Sequence, residues 1–256
     1  INNNIIVDKN TQVQSDGDSG VGIWTAYGNN HELTVDGKVT ATGKDGIAIR
    51  CDFGSSSNGS SDEYRGSYIR WNKIIREKDP VMVVGDPDNE LNGPQVKSIN
   101  INGYVSGAKQ AIYISNNTLV SQININSGAK LSGDITSDWM DPLMALTFKP
   151  VYQQKVTDGE YAMQNRDLRL QFNGDTETLA TDLNFQGHNL SYNGNITGKN
   201  NMRLKIAGGS LAYTGTANVI NSTVAANAAL AVNGEINLNQ AAKTMALYNP
   251  NTDTIN

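Results

Sequence analysis

Apolar and polar residues alternate in short runs along most of the chain. The runs are Leu33 and Val35, Val39 and Ala41, Ile99 and Ile101, Ile123 and Ile125, Leu168, Leu170 and Phe172, Leu183 and Phe185, Leu190 and Tyr192, Met202, Leu204 and Ile206, Leu230 and Val232, and Ile236 and Leu238. A period of two turns successive side chains to opposite faces of an extended strand, so each run predicts a short strand with one buried face. A five-residue unit, apolar-polar-Gly-polar-apolar, recurs as Val35–Val39, Ile101–Val105, Leu131–Ile135, Tyr192–Ile196 and Val232–Ile236. Its glycines lie 66, 30, 61 and 40 residues apart. Such intervals fit a degenerate solenoid with rungs of about 20 residues and insertions.

Strands of this kind can form a sandwich of antiparallel hairpins or a parallel β-helix, in which equivalent strands stack about 4.8 Å apart. Composition separates the two. The chain holds 33 asparagines among 256 residues, with 25 glycines. Asn tolerates left-handed backbone at corners, and stacked Asn side chains on successive rungs hydrogen-bond in ladders. A sandwich offers Asn no such reward. The small residues Ala225, Ala226, Ala228, Ala229 and Ala231 suit a narrow solenoid interior. The prediction is an all-β chain, a parallel β-helix forming one domain over 1–256.

Two segments interrupt the rhythm. From about 51 to 97 the alternation gives way to a serine-rich stretch, then to Tyr64, Tyr68, Trp71 and Ile75 at helical spacing, then to an acidic turn. This reads as a large loop insertion out of the coil. From about 139 to 154 a second, more apolar stretch reads as an irregular seam. Removing these leaves about nine turns of 20 to 22 residues, a rod on the order of 45 Å long at the strand spacing.

Charge and cysteine content narrow the function classes. Twenty basic and 25 acidic side chains, spread along the chain, make no footprint for nucleic acid. The lone Cys51 can form neither an internal disulfide nor a thiolate metal cage. No run approaches the roughly 18 apolar residues of a membrane-spanning helix. The chain opens Ile1-Asn-Asn-Asn and ends in a polar string, and reads as a mature segment or fragment of a longer protein.

Several strings resemble a known family. These are Gly43–Gly54, Arg65–Tyr68, Ala111–Ser115 and Ile123–Trp139, with Leu190–Ile196, Gly208–Leu211 and Ala229–Gly234 in the C-terminal half. Together they resemble the β-helical passenger region of type V autotransporters, above all the stretch following a subtilisin-like protease domain in bacterial autotransporter proteases. The resemblance implies a right-handed coil on the bacterial cell surface, extracellular or secreted. The full-length protein would then carry a C-terminal outer-membrane barrel, and this segment would serve as stalk, adhesin or platform.

Catalytic chemistry finds little support. His31 and His188 lie in turn-like strings and read as solvated corner residues. Ser19, in Gly17-Asp18-Ser19-Gly20, lacks the His and Asp contexts that would activate it, and reads as a turn residue. β-Helical polysaccharide enzymes need paired carboxylates, and the candidates are Asp62 with Glu63, Asp134 with Asp138, and Asp86 and Asp88 with Glu90. None has the context of an acid–base pair or of a complete calcium loop. No cofactor or metal site is expected, and no enzymatic activity.

The segment from Tyr64 to Lys78 is the best binding candidate. There Tyr64, Tyr68 and Trp71 alternate with Arg65, Arg70, Lys73, Arg76 and Lys78. Aromatic rings beside cations, with Tyr64, Tyr68, Arg70 and Trp71 at their centre, can stack on a glycan or grip a protein of the host or surface. The competing reading is a short amphipathic helix pinned to the rod. The expected function is that of an extracellular stalk or adhesin-like surface. The alternatives are a polysaccharide-processing enzyme and an accessory domain that supports an upstream protease.

Overall fold

The computed structural model describes residues 2–53, 71–75, 93–139, 169–172 and 179–239. Among them there is no helix, and therefore none long and apolar enough to cross a membrane. The chain winds through three strand positions per coil. The first coil holds β1 (Asn4–Val7), β2 (Gln12–Ser15) and β3 (Val21–Thr25). The second holds β4 (His31–Val35), β5 (Lys38–Ala41) and β6 (Ile47–Cys51). Past β7 (Trp71–Ile75), which is not in the coil sheets, the third coil is β8 (Val96–Ile101) and the long β9 (Tyr104–Ile114), which bends across two faces. The fourth is β10 (Val120–Ile125) and β11 (Lys130–Ser137); β12 (Arg169–Phe172) also lies outside the coil sheets. The remaining coils use β13 (Thr181–Phe185), β14 (Leu190–Tyr192), β15 (Ile196–Ile206), β16 (Ser210–Tyr213), β17 (Thr216–Val224), β18 (Ala229–Val232) and β19 (Glu235–Leu238).

Every strand of the coil pairs in parallel with its counterpart one turn away, in one 14-stranded and one three-stranded sheet. On the first face Leu33, Ile99, Ile123, Leu183 and Leu204 stand in register. All five are buried. A second column, Val35, Ile101, Ile125, Phe185 and Ile206, runs beside it. On the third face Ile23, Ile49 and Ile112 repeat the arrangement. Each inward side chain thus sits between its counterparts above and below, and burying one Ile or Leu this way stabilises the coil by roughly 1.5–3 kcal/mol. Lower in the stack the core turns aromatic. Phe185, Tyr192 and Tyr213 follow one another with 6.0 Å between ring centroids. The hydroxyls of Tyr192 and Tyr213 donate to the carbonyls of Gly133 and Gly194 at 2.8 and 3.0 Å, which satisfies the polar end of each buried ring.

The asparagines form the ladders that their abundance predicts. On the first face Asn124 donates to Asn100 and Asn184 to Asn124, each at 2.8 Å. At the next corner Asp36, Asn102, Asn126 and Gln186 form a second ladder with steps of 2.6 to 2.7 Å. Left-handed corners account for fewer of them: among the described residues only Asn2, Asn30 and Asn189 adopt positive φ.

The glycine unit proves to serve two different corners. Gly37 and Gly103 turn the chain from the first face to the second, and a Cβ on Gly103 would lie 2.1 Å from the carbonyl oxygen of Gly37. Gly133, Gly194 and Gly234 turn it from the second face to the third, in one column with Gly215. The irregular spacings follow: they mix two corners, two insertions and a step of two coils.

Several expectations need correction. The described residues form seven coils, the fourth ending at β11 and the fifth opening at β13. The run Leu168, Leu170, Phe172 is not a rung. Arg169–Phe172 pairs antiparallel with Trp71–Ile75, apart from the solenoid sheets, so the two interruptions meet. The helical spacing of the first interruption also fails at Trp71–Ile75, where aromatic and β-branched residues favour the strand that this distant partner completes. Finally, the alanines are not interior. Ala226, Ala229 and Ala231 are exposed, and Ala225 and Ala228 only half-buried, because Leu230 and Val232 hold the inward positions of β18.

Candidate functional site

On the outer side of the third face, the strands β3, β6 and β9 place Trp24, Arg50 and Tyr113 in one column. Each is flanked by inward residues, Ile23 and Thr25, Ile49 and Cys51, Ile112 and Ile114, so the pleat turns the middle side chain outward. The Arg50 guanidinium lies between the two rings, 4.9 Å from the Trp24 centroid and 5.9 Å from that of Tyr113. Contacts of this kind contribute about 0.5–2 kcal/mol each and hold rings flat. Arg50 Nε also donates to Asp52 Oδ2 at 3.0 Å. Trp24 Nε1 donates to the Asp52 backbone carbonyl at 2.9 Å, which fixes the indole while leaving the residue 52% exposed. At the other end the Tyr113 hydroxyl donates to Asp138 Oδ2 at 3.1 Å. Burial and the neighbouring Asp138 carboxylate push the Tyr113 phenol up to about 12, so it remains a hydrogen-bond donor at neutral pH.

A second aromatic pair borders this column. Tyr27, 59% exposed, meets Phe53 edge-on with centroids 5.9 Å apart. The Phe53 backbone N–H donates to Asn117 Oδ1 and Thr118 Oγ1, which ties the end of the second coil to the corner after the third. Phe53 and Trp139 follow the third-face strands β6 and β11 at this same corner.

The residues singled out from the sequence fall differently. Tyr64, Tyr68 and Arg70 lie outside the described residues, as do Asp62, Glu63, Asp86, Asp88 and Glu90. Trp71 belongs to β7, opposite Phe172. His31 is no solvated corner residue: it is 4% exposed, its Nδ1 accepts from the Asn3 backbone N–H at 3.2 Å, and its Nε2 faces the Tyr27 carbonyl at 2.6 Å. It clamps the first coil to the second. His188 is exposed at a turn, and Ser19 sits in a turn with φ of 55°. The Asp134 carboxylate accepts from the Asn195 N–H at 2.9 Å, whereas Asp138 serves Tyr113, so each has a separate structural partner. Cys51 is buried in the core, and burial raises its thiol to about 12, which leaves it unreactive. Among the described residues no group of three His, Cys, Asp or Glu side chains could hold a metal ion.

Reading one sequence run at a time misses the column because Trp24, Arg50 and Tyr113 are far apart in the chain. The signal lies in aligning Ile23-Trp24-Thr25, Ile49-Arg50-Cys51 and Ile112-Tyr113-Ile114 as stacked rungs. No protein-family model, curated protein or solved structure matches the chain.

Proposed function

We propose that this chain is a right-handed parallel β-helix of the type V autotransporter passenger class, acting outside the bacterial cell as a non-enzymatic stalk with an adhesive face. The observation that carries the reading is the stack of parallel coils whose outer side presents the Trp24–Arg50–Tyr113 column. A solenoid bonded coil to coil resists bending and makes each contact only with its neighbours, which suits a spacer. Its outer Asn ladders satisfy side-chain amides without a second packed layer. The autotransporter class rests on the sequence resemblance, which also implies the C-terminal barrel and the surface location.

The test uses the complete protein produced in a Gram-negative host. An antibody raised against residues 93–139 should label intact and permeabilised cells equally. Labelling only after permeabilisation overturns the surface reading. Turnover of a peptide or polysaccharide substrate by the purified chain overturns the non-enzymatic one.

A further inference from the structure

An asparagine followed by glycine can react with its own backbone, because a glycine carries no side chain to shield its nitrogen from the neighbouring amide carbon. Whether it does depends on what holds the two groups. Among the described residues three such steps are complete: Asn102–Gly103, Asn193–Gly194 and Asn233–Gly234. At the first, both groups are engaged. The Gly103 N–H donates to the Val35 carbonyl at 2.9 Å, while the Asn102 amide donates to Asp36 Oδ1 at 2.6 Å and accepts from Asn126 Nδ2 at 2.7 Å. At the second, the Gly194 N–H has no partner among the described residues, but Gly194 is buried between coils. A Cβ on it would collide with the Gly133 carbonyl oxygen and the Tyr192 hydroxyl, and a Cβ on Gly215 in the next coil would collide with the Gly194 carbonyl oxygen. The third step is held from one side only. A Cβ on Gly234 would meet the Gly215 carbonyl oxygen above it, and no described strand lies below. Asn233 and Gly234 are both exposed, and neither the Asn233 side-chain amide nor the Gly234 N–H has a hydrogen-bond partner among the described residues.

We infer that Asn233 is a modification site, converted through a succinimide to aspartate and isoaspartate while Asn102 and Asn193 keep their amides. The Gly234 nitrogen attacks Asn233 Cγ and gives up its proton, the Cγ–Nδ2 bond breaks, and Nδ2 leaves as ammonia. Water then opens the five-membered imide. Breaking the new Cγ–N bond leaves aspartate. Breaking the bond between that nitrogen and the Asn233 main-chain carbonyl carbon leaves isoaspartate, with the main chain running through the side-chain methylene. Ring closure requires the peptide unit between the two residues to rotate, and the three corners differ in that freedom. At Asn102 rotation breaks the bonds to Val35, Asp36 and Asn126; at Asn193 it drives a buried glycine against the coils on both sides; at Asn233 it does neither. Either product sets a new carboxylate two residues from Glu235, and isoaspartate lengthens the corner by one methylene. The charge and the path of the last described coil both change.

The experiment incubates the purified full chain at mildly alkaline pH, folded and, in parallel, unfolded in guanidinium chloride. Peptide mass spectrometry reads the conversion of amide to acid at each step, and methylation by a protein isoaspartyl methyltransferase reads isoaspartate. In the unfolded chain the three steps should react at similar rates, since the same dipeptide is then free at each. In the folded chain Asn233 should react at least about tenfold faster than Asn193 or Asn102, a ratio that needs only ~1.4 kcal/mol of difference in barrier. Asn233→Gln, whose longer side chain would have to close a larger ring, should remove the isoaspartate from the peptide spanning 229–239 and leave the thermal unfolding of the chain unchanged. Equal rates at Asn233, Asn193 and Asn102 in the folded chain overturn the inference. So does an Asn233 amide that survives in the folded chain while the unfolded chain loses its own, and so does isoaspartate that persists in the 229–239 peptide of Asn233→Gln.

Discussion

The sixth and seventh coils are written in nearly the same pattern, yet they do not bury the same surface. Ile206, Tyr213 and Val219 of the sixth are 1%, 1% and 0% exposed. Their register partners in the seventh, Val224, Val232 and Leu238, are 47%, 44% and 55% exposed. The difference lies in the neighbours. An inward residue here is covered by the coil above and the coil below, and among the described residues no strand lies beneath the seventh. Burial in a solenoid is thus a property of position in the stack, whereas in a sandwich it is set by the opposite sheet.

The largest expected effect is the contrast between a middle coil and the last. Ile123 lies fully buried between Ile99 and Leu183, so Ile123→Ala should cost about 2–5 kcal/mol in urea unfolding. Ile236 occupies an inward position in the seventh coil but is only half-buried, and Ile236→Ala should cost roughly 1 kcal/mol. Equal losses at the two sites would show that the last coil is covered as well as the middle one.

The same contrast explains what could be read from the sequence. Alternation located Leu33, Ile99, Ile123, Leu183 and Leu204, because each inward column needs an apolar residue at period two on every coil. Asn abundance pointed to ladders, and Asn100, Asn124 and Asn184 form one. Alternation also misassigned Leu168, Leu170 and Phe172, since a strand pairing with a distant insertion follows the same period as a rung. His31 escaped for a different reason. A turn-like string does not reveal that a first-coil N–H and a carbonyl of its own turn will enclose the ring. The outer column was illegible without register, because three outward residues become neighbours only after the coils are superposed.

Smaller effects sharpen the comparison. Asn124 donates to one neighbour and accepts from another, so Asn124→Ala breaks two ladder steps and should cost about 1–2 kcal/mol. Asn237, outward on the last coil, should tolerate alanine to within about 0.5 kcal/mol. If both variants unfold at the same urea concentration, the ladder is ornamental. Asp182 tests the same face electrostatically. Burial would raise its pKa, but hydrogen bonds from Lys205 and Arg203 at 2.7 and 2.6 Å, with their charges, hold it below the usual value. A carboxylate depressed in the folded state stabilises the fold above the unfolded pKa near ~3.9 and loses that contribution as pH falls through the folded pKa. Asp182→Asn should therefore destabilise at neutral pH by up to about 1 kcal/mol, less in high salt, and converge with the parent in acid. A constant offset down to the lowest pH removes the ion pairs as its cause.

A modest effect on stability is expected at Trp24. It lies on the first coil, an end of the described stack like the seventh, and it faces outward with 52% of its surface exposed, so only part of its apolar surface is withdrawn from water. Trp24→Ala removes one hydrogen bond to the Asp52 carbonyl and one contact with Arg50, and Asp52 still holds the guanidinium. The cost in unfolding free energy should be about 1–2 kcal/mol. Tyr213→Ala, in contrast, empties a buried aromatic position with a cost of about 3–5 kcal/mol. A large aromatic residue that can be deleted at so little cost is not there to hold the coil together. If Trp24→Ala instead unfolds the first coil, seen as lost protection from hydrogen exchange over β1–β3, the indole is part of the scaffold and the outer column loses its claim to be a binding surface.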